Sequence, residues 1–468
     1  MSSSVQVDLA VLGAGPGGYV AALRAAQLGA KVALIEAKEV GGTCLNRGCI
    51  PSKALIANAE LWKHVQQAGE FGITTGALSF DYGAMARRKD KIVAQIRQSL
   101  EGLIRSHAIQ IVYGRGALSD AHTLLVSGST PTRVTAEQII LATGSEPREV
   151  GAFPFDHQRI LDSTDLLALQ TIPRSLLVIG GGVIGCEFAS LYANLGVDVT
   201  LIEALPEIIS TEGAQLGGIL REALTKRGIK ILVSTPVEAL QASSNSVKAT
   251  LKGGETVEAE LAVVAVGRAF NTRKIGYEQA GVYVSERGIV PVNDRMQTNL
   301  PHIYAIGDIT GQWLYAHYAS FQGVVAAENA CGKTRRVISA VCPGVIFTDP
   351  EVASVGLTLE KAKEQGYLAR TGRFPFAHLG KSQASGHTEG FAQVVIDEPT
   401  GLILGAQCVG EQASVLIAEM TLAIANELIA PSVSETIHAH PTLSEAWQEA
   451  VLLAQEMPLH SPPMRRRS

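Results

Sequence analysis

Val7-Asp8-Leu9-Ala10-Val11-Leu12-Gly13-Ala14-Gly15-Pro16-Gly17-Gly18 is the stretch on which the fold turns. Val7 to Leu12 is an apolar run interrupted only by Asp8, the pattern of a buried strand. Gly13 to Gly18 is a turn, Tyr19 to Leu28 an alanine-rich helix, and Lys31 to Ile35 a second apolar strand, which together make a βαβ unit. The spacing G-x-G-x-x-G between strand and helix allows a tight turn and lets a pyrophosphate approach the helix N-terminus. Glu36 follows Gly18 by eighteen residues, where a carboxylate can accept hydrogen bonds from ribose hydroxyls. A glycine-rich turn beside an ordinary acidic strand end is the bland alternative. Strand, turn, helix and acid occurring together favour the dinucleotide reading.

The same order returns with the strand Leu176 to Ile179, the turn Gly180-Gly181-Gly182-Val183-Ile184-Gly185, the helix Glu187 to Leu195 and the strand Val197 to Ile202. Glu203 again stands eighteen residues after the last glycine. An acid there suits a free 2'-hydroxyl, hence NAD, since a 2'-phosphate would be met by Arg or Lys. Two fingerprints imply two dinucleotides, FAD held permanently and NAD exchanging, although the glycines alone do not say which unit takes which.

Composition agrees with a large buried chain. Of 468 residues 47 are glycine, 46% are hydrophobic and 18% charged, against about 25% charged in an average globular domain. About three domains are expected at roughly 150 residues each. The longest uncharged run, Ile309 to Ala327, carries Gln312, His317 and Gln322, so no membrane helix is expected. No cationic leader precedes an apolar stretch, which points to a cytoplasmic protein. A net charge of -5 gives no reason to expect nucleic acid or an anionic membrane surface, and the basic cluster Arg465 to Arg467 reads as a frayed terminus.

Six cysteines do not make a disulfide framework. Two of them form Cys44-Leu45-Asn46-Arg47-Gly48-Cys49. Zinc needs about four ligands, and Cys186, Cys331, Cys342 and Cys408 offer no second close pair; no metal is expected. Pro51 suits the first turn of a helix through Ser52, Lys53, Ala54 and Leu55, which puts Cys49 at a helix N-terminus, where a thiolate is stabilised. The pair reads as a redox-active disulfide, with a structural pair as the alternative. Lys53, four residues past Cys49, can share its helical face.

His438-Ala439-His440-Pro441-Thr442-Leu443-Ser444-Glu445 stands near the C-terminus. Thiol chemistry needs a base to deprotonate an incoming dithiol, and an imidazole oriented by a carboxylate is suitable. Equally, Thr442 and Glu445 can form a capping box opening a helix, with the histidines as loop residues. Between the motifs, Tyr82 to Ser106 reads as helix and Ile139 to Gly144 and Val263 to Gly267 as strands closing on glycine. From Cys342 on, strands (Val345 to Phe347, Phe391 to Ile396, Leu402 to Val409) and helices (Ser414 to Ile429, Ser444 to Gln455) suggest an α+β module.

Gly41-Gly42-Thr43-Cys44-Leu45-Asn46-Arg47-Gly48-Cys49-Ile50-Pro51-Ser52-Lys53 resembles the signature of the class I pyridine nucleotide-disulfide oxidoreductases. With His438 to Glu445 the resemblance narrows to the branch that oxidises dihydrolipoyl groups. It covers essentially the whole chain and implies an α/β fold with two Rossmann-like domains plus a C-terminal α+β dimerisation domain: FAD domain 1–150, NAD domain 151–272, central segment 273–341 and interface domain 342–468. It implies that Cys49 is the flavin-proximal thiol and Cys44 the interchange thiol, that Lys53 lies beside the flavin and pairs with Glu187, and that His440, oriented by Glu445, is the base contributed across a homodimer. FAD contacts are implied for Gly13, Gly15, Gly18, Glu36, Gly42, Thr43, Cys44, Lys53, Gly116, Thr143, Gly144, Ser145, Asp308, Leu314, Tyr315, Ala316 and His317. NAD contacts are implied for Gly180, Gly181, Gly182, Val183, Ile184, Gly185, Glu187, Glu203, Val237 and Gly267. The implied reaction is oxidation of protein-bound dihydrolipoamide with reduction of NAD, and the implied partners are lipoyl domains of 2-oxoacid dehydrogenase or glycine cleavage complexes. Arg47, Ala269, Tyr315 and Tyr318 depart from the family pattern. Glu203 opposes an NADPH-dependent glutathione reductase, and the intact set Cys44, Cys49, His440 and Glu445 opposes a mere flavin-bearing assembly component.

Overall fold

The computed structural model describes residues 3–337 and 341–462, so the Arg465 to Arg467 cluster lies outside the described residues. The chain divides into two compact units, the first made of 3–173, 240–247 and 263–337, the second of 174–239, 248–262 and 341–462.

The first unit begins with the βαβ reading realised as β1 (Ser3–Leu12), α1 (Pro16–Gln27) and β2 (Val32–Glu36). The helix starts at Pro16 rather than Tyr19. Gly15 is its N-cap and no side chain caps it, and proline is at home in a first turn because it has no N–H to leave unpaired. Then come α2 (Gly42–Arg47), α3 (Cys49–Gln66), α4 (Tyr82–Ser106), β3 (Gln110–Tyr113), β4 (Arg115–Asp120), β5 (Thr123–Ser127), β6 (Thr132–Leu141) and β7 (Ser145–Pro147). The main sheet runs β3-β2-β1-β6-β5-β4, with the strand Ile303–Ala305 also pairing β6. β1 pairs β2 and β6 in parallel, whereas β4, β5 and β6 are antiparallel neighbours. Asp8, the polar interruption in β1, accepts the Lys31 N–H at 2.7 Å and so helps seat the return into β2.

α1 packs against the helix Ala316–Ala330 through glycine. A Cβ on Gly17 would stand 2.9 Å from the Ala319 carbonyl oxygen, and one on Gly323 would stand 2.4 Å from that of Gly17. Two helices can approach this closely only where side chains are missing at the contact.

In the second unit Ser175–Ile179, Asp198–Ile202 and Lys230–Leu232 form a parallel set with the helix Val183–Asn194. This helix begins four residues before the expected Glu187, again because the glycine turn delivers the chain straight into it. A second sheet, antiparallel throughout, has the order Gly344–Ile346, Val352–Gly356, Ile403–Gly410, Gly390–Asp397, Ala369–Pro375. The helices Ala413–Ala425 and Glu445–Ala454 help build its core, in which Trp447, Phe374, Phe376 and Met420 are fully buried.

The expected helix Ser414 to Ile429 ends at Ala425. Glu427 takes φ +52°, its N–H bonds to the Ile424 carbonyl at 3.1 Å and that of Leu428 to the Ala423 carbonyl at 2.9 Å. This is a Schellman termination with glutamate where glycine is usual, so the stop carries no glycine signal.

Gly372 fixes the C-terminal helix against its strand: a Cβ there would lie 2.0 Å from the Ala450 carbonyl oxygen and 2.4 Å from the Ala454 nitrogen. Backbone cannot yield as a flexible side chain would. Gly372→Ala is therefore expected to destabilise the protein by about 1–3 kcal/mol or more, read as a lower urea midpoint.

Candidate active site

The two glycine turns repeat each other in detail. Gly13 has φ +106° and Gly180 φ +105°. A Cβ on Gly18 would sit 1.8 Å from the Gly13 carbonyl oxygen and one on Gly185 1.9 Å from that of Gly180, whereas Gly15 and Gly182 face open space. Each turn ends on an extended glycine N-cap with no side-chain cap, so the first helical N–H groups stay available to an anion. The acids add something the sequence did not suggest. Glu36 accepts the Ala14 N–H through Oε2 and the Lys38 N–H through Oε1, both at 2.8 Å. Glu203 does the same with Gly181 at 2.6 Å and Leu205 at 2.7 Å. Each carboxylate clamps its own glycine loop, and each oxygen retains a second lone pair for a ribose hydroxyl. The open position at the second glycine, the uncapped helix and the anchored acid fit a dinucleotide in both turns.

The cysteines lie on consecutive helices, Cys44 within the short α2 and Cys49 as the first residue of the long α3, joined at Gly48. The Cys44 thiol is pushed well above its ordinary value by a hydrogen bond with Cys49 and then by burial, while the charge of Lys53 pulls the other way. The two sulfurs are joined by this hydrogen bond and not by a disulfide. Arg47, between them, is turned aside to Glu39 at 2.7 Å. Tyr19 on α1 is raised by burial first and then by the charge of Cys44.

Thr143, Gly144 and Ser145 follow β6. Thr143 Oγ1 donates to the Asn271 carbonyl at 2.7 Å, Gly144 has φ +64°, and Ser145 donates to Asp308. Arg268, which the sequence reading passed over beside Gly267, donates to the Ser145 hydroxyl at 2.6 Å and to its carbonyl. Its guanidinium lies 3.9 Å from Asp308. Burial pulls Arg268 below the usual arginine value, opposed by the charges of Asp308 and Cys49. Arg268 thus ties the loop after β6 to Asp308 within reach of the thiol pair's field. Its position just past the strand-closing glycine was the available signal.

Tyr315 stands at the N-cap position of the helix beginning at Ala316 without a side-chain cap, the Tyr315 and His317 rings stack at 5.2 Å, and Leu314 is exposed. Gly116 is buried in β4 against Leu12 and Ile35. Val237 begins the strand Val237–Ala242. Lys53 belongs to the first unit and Glu187 to the second, where Glu187 is buried and accepts the Phe347 N–H at 3.1 Å.

In the second unit His440 Nδ1 meets Glu445 Oε1 at 2.8 Å, and Glu445 Oε2 accepts the Thr442 N–H at 2.8 Å. The ionised carboxylate only accepts, so Nδ1 carries the proton and Nε2 of the neutral ring is left as an acceptor. The His440 side chain is 77% exposed. Burial would raise Glu445, but the Thr442 N–H, the His440 hydrogen bond and the charges of His440 and His438 hold it below the usual carboxylate range. The expected capping box is only half formed. Glu445 takes the Thr442 N–H, yet the Thr442 hydroxyl donates to the Ala439 carbonyl at 2.7 Å, and the helix starts at Glu445 with Ser444 as an uncapped N-cap. The hydroxyl is spent on closing the histidine loop.

Among the described residues His157, Asp162 and Asp165 gather closely enough for metal ligation. Asp162 caps the helix Ser163–Ala168 in a full capping box with Asp165, which also binds His157 at 2.8 Å, so helix capping accounts for the group. No helix among the described residues is long and apolar enough to cross a membrane.

Residues 7–323 match the family described as pyridine nucleotide-disulphide oxidoreductase, and 342–451 match its dimerisation domain, which supports a homodimer. The chain is 50% identical to the dihydrolipoyl dehydrogenase of Chlamydia pneumoniae, covering 98% of this chain and 99% of that protein. It is 40% identical to that of Geobacillus stearothermophilus, over 98% of each. Among solved structures, LpdA from Mycobacterium tuberculosis superposes with a TM-score of 0.90 at 27% identity, covering 96% of this chain and 99% of that one. The HOCl-induced flavoprotein disulfide reductase RclA from Escherichia coli gives 0.86 at 26%, covering 95% and 99%. The chain belongs to the pyridine nucleotide-disulphide oxidoreductase family, in its dihydrolipoyl dehydrogenase branch, whose enzymes are flavoprotein disulfide oxidoreductases using FAD and NAD.

Proposed function

We propose that this chain oxidises protein-bound dihydrolipoyl groups to lipoyl groups and reduces NAD. The observation that carries the reading is the hydrogen-bonded Cys44 and Cys49 pair at the head of α3, under the charge of Lys53. In the oxidised enzyme these sulfurs form one disulfide. His440 Nε2 removes a proton from one substrate thiol, and the resulting thiolate attacks the Cys44 sulfur, breaking the Cys44–Cys49 bond and releasing the Cys49 thiolate. The second substrate thiol then attacks the substrate sulfur of the mixed disulfide, and its proton goes to the departing Cys44 sulfur. The substrate has lost two electrons and its dithiol protons, and the cysteine pair has gained the electrons. Bound FAD supplies the path for that electron pair to NAD.

FAD is assigned to the Gly13–Gly18 turn with Glu36, Gly42, Thr43, Gly116, Thr143–Ser145, Asp308 and Leu314–His317. NAD is assigned to the Gly180–Gly185 turn with Glu187, Glu203, Val237 and Gly267. The domain limits 1–150, 151–272, 273–341 and 342–468 follow those roles. Lys53 is assigned to the flavin, beside the cysteine pair. Each site takes its cysteines from one subunit and His440 from the other, a reading supported by the exposure of the His440 side chain. The partners are lipoyl domains of 2-oxoacid dehydrogenase or glycine cleavage complexes, and the setting is the cytoplasm.

Mixed dimers test the shared site. A dimer of one Cys49→Ser chain and one His440→Gln chain retains one intact combination of cysteine pair and base. Purified by two tags, it is expected to show about half the wild-type turnover, whereas each parental homodimer is nearly inactive. A mixed dimer as inactive as its parents would place cysteines and base in the same chain.

A further inference from the structure

The loop that presents His440 carries a second histidine and a second carboxylate. His438 Nε2 lies 2.8 Å from Glu419 Oε1 on the helix Ala413–Ala425, and its Nδ1 lies 3.0 Å from the Thr436 carbonyl oxygen. A carbonyl oxygen and an ionised carboxylate both accept and never donate. A neutral imidazole has one N–H, so either neutral tautomer would leave one ring nitrogen facing an acceptor lone pair to lone pair. Only the doubly protonated ring satisfies both contacts. The side chain is 6% exposed, so water cannot readily substitute for a missing partner, and an unmet buried contact is costly.

The surroundings agree. Glu419 and Glu445 are the charged groups that favour the protonated ring, first through the Glu419 hydrogen bond and against the opposing effect of burial, and together they raise His438 above its ordinary value. From the helix Glu445–Ala454, Gln448 shares the Thr436 carbonyl at 3.4 Å as a neutral second donor. The charge of His438 is felt at Glu445, the carboxylate that holds His440. His440 and His438 therefore act on one anion, one by a direct hydrogen bond and the other through space.

We propose that His438 is a constitutively protonated imidazolium, locked by Glu419 and the Thr436 carbonyl, which serves as the fixed cation of the base site and is a positioning residue for the Glu445–His440 pair. The inference rests on His440 being the base. Its chemistry divides the labour between two histidines of opposite behaviour: His438 keeps its proton through the cycle, and His440 gains and loses one. A fixed cation keeps Glu445 an anion and opposes a second charge on the neighbouring ring, which leaves Nε2 of His440 open to accept the substrate proton.

Two measurements test this. In histidine-labelled protein at pH 8, 15N spectra are expected to show both His438 nitrogens protonated, and in Glu419→Gln one of them is expected to have lost its proton. A neutral His438 tautomer in the wild type would overturn the proposal. Second, His438→Asn and His438→Gln each keep a neutral donor while removing the charge. Both are expected to move the acid limb of the kcat/KM profile for dihydrolipoamide to higher pH by about half a unit to one unit, as loss of one nearby like charge should. An acid limb that coincides with the wild type in both, with only kcat reduced, would show a merely structural role and overturn it. His440→Gln, measured in the same series, separates the two levels: unchanged turnover there defeats the reading of His440 as base, whereas a large loss there with an unmoved limb in the His438 variants defeats this inference alone.

Discussion

A Cys49→Ser enzyme is expected to fold and to bind FAD, and to lose dihydrolipoamide-dependent reduction of NAD by roughly 10⁴-fold or more, in line with removal of a sulfur that takes part in the reaction. Serine keeps the size and the hydrogen-bonding capacity of the site but cannot form the disulfide that the substrate must open. Serine differs from cysteine by a single atom at this half-buried first residue of α3, so the turn at Gly48 between α2 and α3 should keep its shape. Loss of activity should therefore come without loss of stability. The check is a steady-state assay of NADH formation beside thermal unfolding and the flavin absorbance of the same preparation. A variant that unfolds, or sheds its flavin, would assign Cys49 a structural role instead.

His440→Gln is expected to lower kcat/KM for dihydrolipoamide by about 10²–10⁴-fold, the span of general base catalysis. Glutamine can still donate to Glu445, so the loop from Thr436 to Glu445 should keep its shape. What disappears is the Nε2 lone pair. Glu445→Gln is expected to cost less, because the imidazole remains and only its orientation by the carboxylate is weakened. The decisive readout is pH. Raising the pH ionises more of the substrate thiol without help from a base, so the deficit of His440→Gln is expected to shrink steadily from pH 7 to pH 9. A deficit constant across that range would mean that His440 does something other than accept a proton.

Much of this was legible in the sequence because the determining contacts are local. Glycine at positions 13, 15 and 18, and again at 180, 182 and 185, dictates a turn that only a strand and a helix can flank, and both βαβ units formed as read. The long helix Tyr82–Ser106 has the bounds expected of it, opened by Asp81, whose side chain accepts the Ala84 N–H. The adjacent thiols were visible because the cysteines are near neighbours in the chain.

What stayed hidden depends on contacts between distant segments or on unusual residues in ordinary roles. Glu427 stops a helix in a conformation usually left to glycine, so the pattern ran on to Ile429. The Thr442 hydroxyl is drawn away from helix capping by the Ala439 carbonyl, which no pairwise motif describes. Arg268 reaches Ser145 and Asp308 only after the strand Arg268–Phe270 pairs β7. The His438 and Glu419 partnership spans nineteen residues and two elements, and the double acceptance that fixes its protonation exists only in three dimensions.

NADH production by the purified wild-type homodimer supplied with dihydrolipoamide and NAD tests the proposed reaction itself. Rapid turnover is expected, with a strong preference for NAD over NADP and near-complete loss in Cys49→Ser. No turnover with dihydrolipoamide, or a preference for NADPH with glutathione disulfide, would contradict it.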